Sequence, residues 1–299
     1  MHINKFSAVI KPLLAHLSIL FLSLTFFISS SLAGVVEPLP GLEKAIEELH
    51  FLYKDKELSF LVEKEYQVQK YYYEIQSKTQ KLEVLEEVKE HFEKAVAKSE
   101  EKFDSGEEDI SQSAITKLKL GLAGTLNDII ELNTDIKVAF LSLTRILKVH
   151  YSVDIELRES EIKPIDFKFK DYKTWFVDSG LATIMDSKLD LSGIELELKT
   201  GFLKVLESKE KLKLAKKNRK ITRALLVSEA ANYDFGIGEA GDLFEALIIY
   251  TRVLSGYYDS VYNFNLSTVE LNRINPKEQR THEAFTGFKY FFVETIMFN

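Results

Sequence analysis

The fold is decided by the stretch Tyr233-Asp-Phe-Gly236-Ile-Gly-Glu-Ala-Gly-Asp242-Leu-Phe-Glu245, which separates two long helical patterns. An earlier stretch, Lys102-Phe103-Asp-Ser-Gly106, repeats its core of an aromatic residue, an aspartate, one further residue and a glycine. A glycine that interrupts a helical pattern can adopt a positive φ at little cost, so it is a natural place to reverse the chain. The two reversals therefore predict two tandem helical hairpins built as a repeat.

Apolar residues follow helical spacing on both sides of each glycine. Proline is absent from Gly41–His150 and from Gly180–Arg273, which permits long uninterrupted helices. We predict that one helix of roughly 95 Å covers Gly41–Phe103, followed by a returning helix after Gly106. In the second hairpin the first helix is predicted to end near Tyr233, and Pro276 is predicted to end the second.

The segment between the hairpins, residues 151–180, is predicted to be a connector with two short β-strands. Val153–Leu157 and Ile165–Phe169 alternate apolar and polar residues, as half-buried strands do. Each is shorter than the ~9–11 residues that a tilted transmembrane strand needs, and no other segment is a convincing one. The predicted fold is therefore mainly α, with hairpin repeats at 34–150 and 181–276, this connector, and an aromatic tail at 277–299.

Residues 1–33 have the pattern of a signal peptide. Lys5 and Lys11 precede an apolar region, Leu13–Ile28, and Ser31-Leu-Ala33 supplies the small residues of a cleavage site. We therefore expect export and cleavage before Gly34, with an uncleaved membrane anchor as the less favoured interpretation.

Composition and motifs argue against several classes of function. The formal net charge of −7 does not favour nucleic-acid binding, and the absence of cysteine excludes disulfides, thiolate metal sites and a cysteine nucleophile. The histidines have no metal-binding spacing, and no phosphate-binding loop or nucleophile motif is present. We expect no enzymatic activity and no cofactor.

The second reversal resembles the periplasmic-tip signature of the TolC-like family of outer-membrane efflux proteins. The resemblance is good over Leu191–Arg273 and fainter over Gly41–Val149, and it is to a short or barrel-less member of the family. It implies a homotrimer whose helical hairpins enclose a passive export tunnel across the periplasm of a Gram-negative cell. The implied partners are a periplasmic adaptor (a membrane fusion protein) and an inner-membrane pump, with insertion in the outer membrane as an option.

The resemblance also implies roles for individual residues. Those implied at the tip turns that dock the adaptor are Lys102, Phe103, Gly106 and Gly236. Those implied at the pore constriction are Tyr233, Asp242 and Glu245, where an acidic ring would favour cations. Gly238 stands where the best-known members carry an arginine, so a latch built on the same ion pairs is not expected here.

Two alternatives follow from the residues alone. The long amphipathic helices also fit a non-channel periplasmic coiled-coil adaptor or scaffold, which would account better for the missing transmembrane strands. The basic run Lys209–Arg223 is interpreted as a solvated face, with binding of an anionic partner as the less favoured option.

Overall fold

The computed structural model describes residues 38–106, 111–150, 152, 155–181 and 192–275. The predicted signal peptide, the predicted aromatic tail and Pro276 lie outside the described residues. The helices described below belong to one compact unit that begins at Leu39.

Six helices make up most of the described residues. They are α1 (Leu42–Leu52), α2 (Leu58–Asp104), α3 (Gln112–Leu147), α4 (Tyr172–Asp178), α5 (Ser192–Asp234) and α6 (Ala240–Arg273). The predicted fold of two tandem long hairpins is confirmed, with α2 and α3 forming the first and α5 and α6 the second.

The prediction of a single helix over Gly41–Phe103 is wrong, because the chain turns between α1 and α2. Residues 54–57 are Lys-Asp-Lys-Glu and supply no apolar side chain to hold a helical turn against the core. Tyr53 fixes the turn instead: its hydroxyl donates to the Ile146 carbonyl at 3.1 Å and its ring packs against Phe60 at 5.3 Å.

The four long helices pack in the order α5, α6, α2, α3, so that α6 and α2 are flanked on both sides and α3 and α5 form the edges. The contact between α2 and α6 joins the two hairpins. Toward the Gly106 end, Phe92 of α2 and Phe244 of α6 pack with their ring centroids 6.1 Å apart. Gly121 lets α3 approach this pair, since a Cβ there would come within 2.7 Å of the Phe92 ring.

The predicted strands of the connector are not formed in its described part. The only bridge there pairs Leu39 with Leu157, and residues 165–169 have no partner strand. Apolar side chains such as Phe167 pack into the helical core. Side chains of the helices form hydrogen bonds with the backbone of the connector. Asn265, which is fully buried, donates to the Lys163 carbonyl at 2.8 Å and accepts from the Ile165 amide at 2.9 Å.

The short helix α4 was not predicted. Asp171 caps it by accepting a hydrogen bond from the Thr174 amide at 2.8 Å. Trp175 anchors it, because its indole is buried and packs 5.6 Å from the Phe202 ring of α5. The end of α5 at Asp234 and the end of α6 at Arg273 agree with the sequence.

Candidate functional site

The two reversals lie side by side at one end of the molecule, and we call residues 102–106 and 233–239 together the tip. Both glycines have a positive φ, +81° at Gly106 and +75° at Gly236. At the second reversal the Gly236 amide donates to the Tyr233 carbonyl at 3.1 Å and the Ile237 amide to the Asn232 carbonyl at 3.0 Å. These two bonds define a Schellman motif, which requires a left-handed residue at the glycine.

Tyr233 joins the two hairpins within one chain. Its side chain is 5% exposed, and its hydroxyl lies 2.6 Å from Ser99 Oγ. The same hydroxyl donates to the Ala95 carbonyl of α2 at 3.1 Å. The end of α5 is therefore fastened to α2 by a buried hydrogen-bonded group, and its implied role at a pore constriction remains a prediction.

Lys98 adds a second link between the hairpins. Its ammonium group donates to the carbonyls of Tyr233 and Asp234, at 3.0 and 2.7 Å, and lies 5.2 Å from the centroid of the Tyr233 ring. A cation at the C-terminus of α5 is favourable because the last carbonyls of a helix carry partial negative charge. Lys102 continues this arrangement, since a Cβ at Gly236 would lie 4.0 Å from its Nζ.

The two acidic residues implied at the pore constriction do not contribute to this link between the hairpins. Asp242 and Glu245 lie in the first two turns of α6, and both side chains are exposed. Gly238, just before that helix, packs against the end of α5, because a Cβ there would come within 2.9 Å of Asn232 and 3.0 Å of Tyr233. A larger residue at 238 would require α5 and α6 to separate locally.

The tip also exposes apolar side chains. Phe235 and Ile237, on either side of Gly236, are 81% and 78% exposed, and Phe103 of the first reversal is 42% exposed. Sequence reasoning selected Phe103 but missed Phe235 and Ile237, although their position beside the reversal glycine was a usable signal. It also missed Lys98 and Ser99, which only the packing of α2 against α5 identifies.

Comparison with known proteins bears on the fold. No protein-family model matches the sequence, and no curated protein matches it. Among solved structures, the outer-membrane channel OprN aligns with a TM-score of 0.57 and 11% identity, over 78% of this chain and 69% of OprN. The chain has a TolC-like helical fold. CusC, whose structures describe the folding and formation of a transmembrane channel, aligns with a TM-score of 0.58 and 11% identity, over 78% of this chain and 74% of CusC.

Two further properties of the described residues concern the site. None of the described helices combines the length and hydrophobicity needed to cross a membrane. Among the described side chains, no three histidines or carboxylates are grouped so that they could hold a metal ion.

Proposed function

We propose that this chain is a subunit of a passive export duct, exported to the outer membrane or periplasm of a Gram-negative cell. Three copies would form a ring around a water-filled path, and the tip would dock a periplasmic adaptor that is coupled to an inner-membrane pump. The observation that carries the proposal is the helical layer itself, because both of its edge helices present exposed apolar side chains while its tip is apolar and exposed. The TolC-like fold supports the same assembly.

The α5 edge carries a regular apolar stripe. Its members are between 37% and 66% exposed, and they are Leu196, Leu203, Leu214, Ile221 and Leu225. Their spacings of seven, eleven, seven and four residues place all five on one side of the helix. A stripe of this length on a water-exposed helix indicates a surface that another protein covers.

The α3 edge carries the complementary set. Its exposed apolar residues are Leu120, Leu126, Ile130, Val138 and Leu141, between 40% and 67% exposed. Because α3 and α5 are opposite edges, one cannot cover the other within a chain. Contact of α5 in one copy with α3 in the next would be a heterologous interface, and such an interface forms a ring when the rotation between copies closes.

The two edges also match in level, measured from the tip. Leu214 lies 20 residues before the end of α5 and Ile130 lies 18 residues after the start of α3, roughly 30 and 27 Å along the helices. Ile221 and Leu126 match at about 20 Å in the same way. Two apolar residues of one edge therefore each have a counterpart at the same height on the other.

Oppositely charged residues also lie at similar heights on the two edge helices. Asp128 and Glu131 are exposed on α3, between 16 and 19 residues from its start. Lys217 and Lys220 are exposed on α5, 17 and 14 residues from its end. Opposite charges at one height would favour this pairing of edges and fix its register.

The tip supports the docking role. Phe235 and Ile237 are the most exposed large apolar side chains at this end of the molecule, and they project from a turn held rigid by the Schellman motif. Apolar side chains on a rigid turn lose little entropy when a partner covers them. Cations at Lys98 and Lys102 border this surface.

Disulfide cross-linking tests the proposed edge contact, and the chain has no native cysteine to interfere. A variant with Leu214→Cys and Ile130→Cys, oxidised under mild conditions, is expected to give covalently linked dimers and trimers. The control pair is Leu214→Cys with Leu141→Cys, whose levels differ by roughly 14 Å, beyond the reach of a disulfide. Equal cross-linking of both pairs, or none in either, would contradict the proposed contact.

Export itself is tested at the tip. We expect Phe235→Asp with Ile237→Asp, introduced on the chromosome of the host, to raise the cellular accumulation of a fluorescent efflux substrate such as ethidium. Phe51→Asp is the matched control, because Phe51 is 76% exposed but lies in α1. Accumulation that stays at the wild-type level in the tip variant would refute the docking role.

A further inference from the structure

A cleft of about 540 Å³ opens between the connector, α5 and α6. Its apolar lining includes Phe167, Leu212 and Phe264, which are buried, and Tyr257, which is half-buried. The volume is within the range of small-molecule sites, and an apolar lining with a few polar groups is typical of them. The cleft is distinct from the tip, since Lys213 in its wall precedes the end of α5 by 21 residues, about 32 Å.

Cations dominate the rim of this cleft. Four lysines border it, namely Lys168 of the connector and Lys209, Lys213 and Lys216 of α5. The α5 lysines are spaced by four and three residues, so they lie on one side of the helix. Two carboxylates, Asp166 and Glu210, also line the cleft and leave it with a net charge of +2. Two of these lysines form solvent-exposed ion pairs, Lys213 with Glu210 at 3.3 Å and Lys168 with Asp178 at 3.9 Å.

Lys209 holds the cleft in shape. Its ammonium group donates a hydrogen bond to the Phe167 carbonyl and lies 5.7 Å from the centroid of the Phe167 ring. Phe167 in turn packs 5.8 Å from the Phe202 ring, so the connector wall is anchored to α5 on both sides of the lysine. The binding surface is therefore formed in advance, which reduces the entropy that a ligand would have to offset.

The far wall is also positively charged. Arg219 stacks on Tyr257, with its guanidinium carbon 4.6 Å from the ring centroid. Tyr257 itself lines the cleft, so this cation lies on the other side of an aromatic wall. Residues 209–223 contain eight basic residues and one acid, and their combined field raises the local concentration of anions.

We propose that this cleft binds small organic anions in which an aromatic or other apolar ring system carries a carboxylate, sulfonate or phosphate group. The ring system would lie against Phe264 and Leu212, and the anionic group would lie between Lys213 and Lys216 at the rim. An inorganic anion would leave the apolar lining unused, and a cation would meet the net positive charge. A neutral apolar compound would gain nothing from the lysines.

Fluorescence titration of the full-length protein with anilinonaphthalene sulfonate, an aromatic anion, tests this assignment. The double substitution Lys213→Glu and Lys216→Glu is expected to weaken binding about tenfold or more, because two attractive charges become repulsive. The matched control is Lys204→Glu with Lys211→Glu, which makes the same change in net charge on exposed residues of α5 outside both the cleft and the proposed edge contact. The control is expected to bind within about twofold of wild type.

Neutral phenylnaphthylamine has no anionic group and binds through the apolar contact alone. Its binding should therefore be the same in the wild-type protein and in both double variants. Equal weakening of sulfonate binding in both double variants would overturn the assignment, because the overall positive charge of α5, and not the cleft lysines, would then account for the binding. Unchanged sulfonate binding in the Lys213 and Lys216 variant would also overturn it, because the probe would then bind elsewhere. Far-UV circular dichroism of each variant verifies that the helices are retained, and neither outcome depends on ring assembly or export.

Discussion

Substitution of Gly236 by alanine tests the reversal on which the second hairpin depends. The backbone there has a φ of +75°, and a residue with a Cβ pays about 1–2 kcal/mol in this left-handed region. No atom other than Lys102 Nζ, at 4.0 Å, lies near the position of the new methyl group, so neither a clash nor new packing modifies that figure. Gly236→Ala should therefore lower the free energy of unfolding by about 1–2 kcal/mol.

The matched control is Gly256→Ala, in the middle of α6. Its added Cβ would meet no atom within 4 Å, as at Gly236, but its φ lies outside the left-handed range. Alanine in a helix interior is favoured over glycine by about 0.5–1 kcal/mol, so the same substitution should stabilise the protein there. The two variants differ in the sign of the effect because they differ in backbone conformation alone.

Urea unfolding followed by far-UV circular dichroism, at one fixed protomer concentration, measures both variants. With an m-value of about 3 kcal/mol/M, Gly236→Ala should lower the midpoint by about 0.5 M and Gly256→Ala should raise it by about 0.2–0.3 M. Midpoints that rise in both variants would show that the reversal does not need a positive φ at Gly236, and the hairpin assignment would lose its physical basis.

Three further predictions concern buried polar groups. Tyr233→Phe and Ser99→Ala should each lower the free energy of unfolding by about 1–2 kcal/mol. In the double-mutant cycle the two effects should be less than additive by at least about 0.5 kcal/mol, and additive effects would exclude the hydrogen bond between the hairpins. Asn265→Ala should speed limited proteolysis within the connector, whereas Asn263→Ala, at an exposed position on the same helix, should not; equal cleavage would contradict the role of Asn265. Burial raises the pKa of Tyr72 from 10.0 to about 12, so between these pH values the folded state keeps a proton that the unfolded state loses. The free energy of unfolding should therefore be unaffected by Tyr72 below pH 10 and fall between pH 10 and 12. Tyr72→Phe should reduce that fall in alkaline denaturation.

The hairpin plan could be predicted from the sequence because two independent local signals coincide. Proline-free helical periodicity indicates the long helices, and Gly106 and Gly236 mark the places where a left-handed residue can end them. Both signals depend on residues close together in the chain, so no knowledge of packing is needed. The break at residues 53–57 was missed because apolar residues continue in helical spacing on both sides of it.

The connector could not be predicted in the same way. Alternation at Ile165–Phe169 is the pattern of a half-buried strand, but a strand also needs a partner, and Asn265 of α6 takes that place. Asn265 lies about a hundred residues away in the sequence, and an asparagine in a helical pattern gives no sign of such a role.

The two reversal glycines of the candidate site could be predicted from the sequence, but the hydrogen bonds between its hairpins could not. The family resemblance selected Tyr233 through its position next to Gly236, while the groups that bind its hydroxyl, Ser99 and the Ala95 carbonyl, lie on the other hairpin. Only the packing of α2 against the second hairpin places them together. Lys98 was missed for the same reason.

Assembly of three copies edge to edge fixes the mass of the protein in solution. The chain, expressed with its own N-terminal segment and purified from the envelope fraction, would be measured by light scattering behind a sizing column. We expect a mass three times that of the protomer, and a smaller mass when Leu214→Asp places a charge on the α5 edge. A monomer or dimer of the wild-type protein would contradict this assembly and favour the coiled-coil adaptor or scaffold.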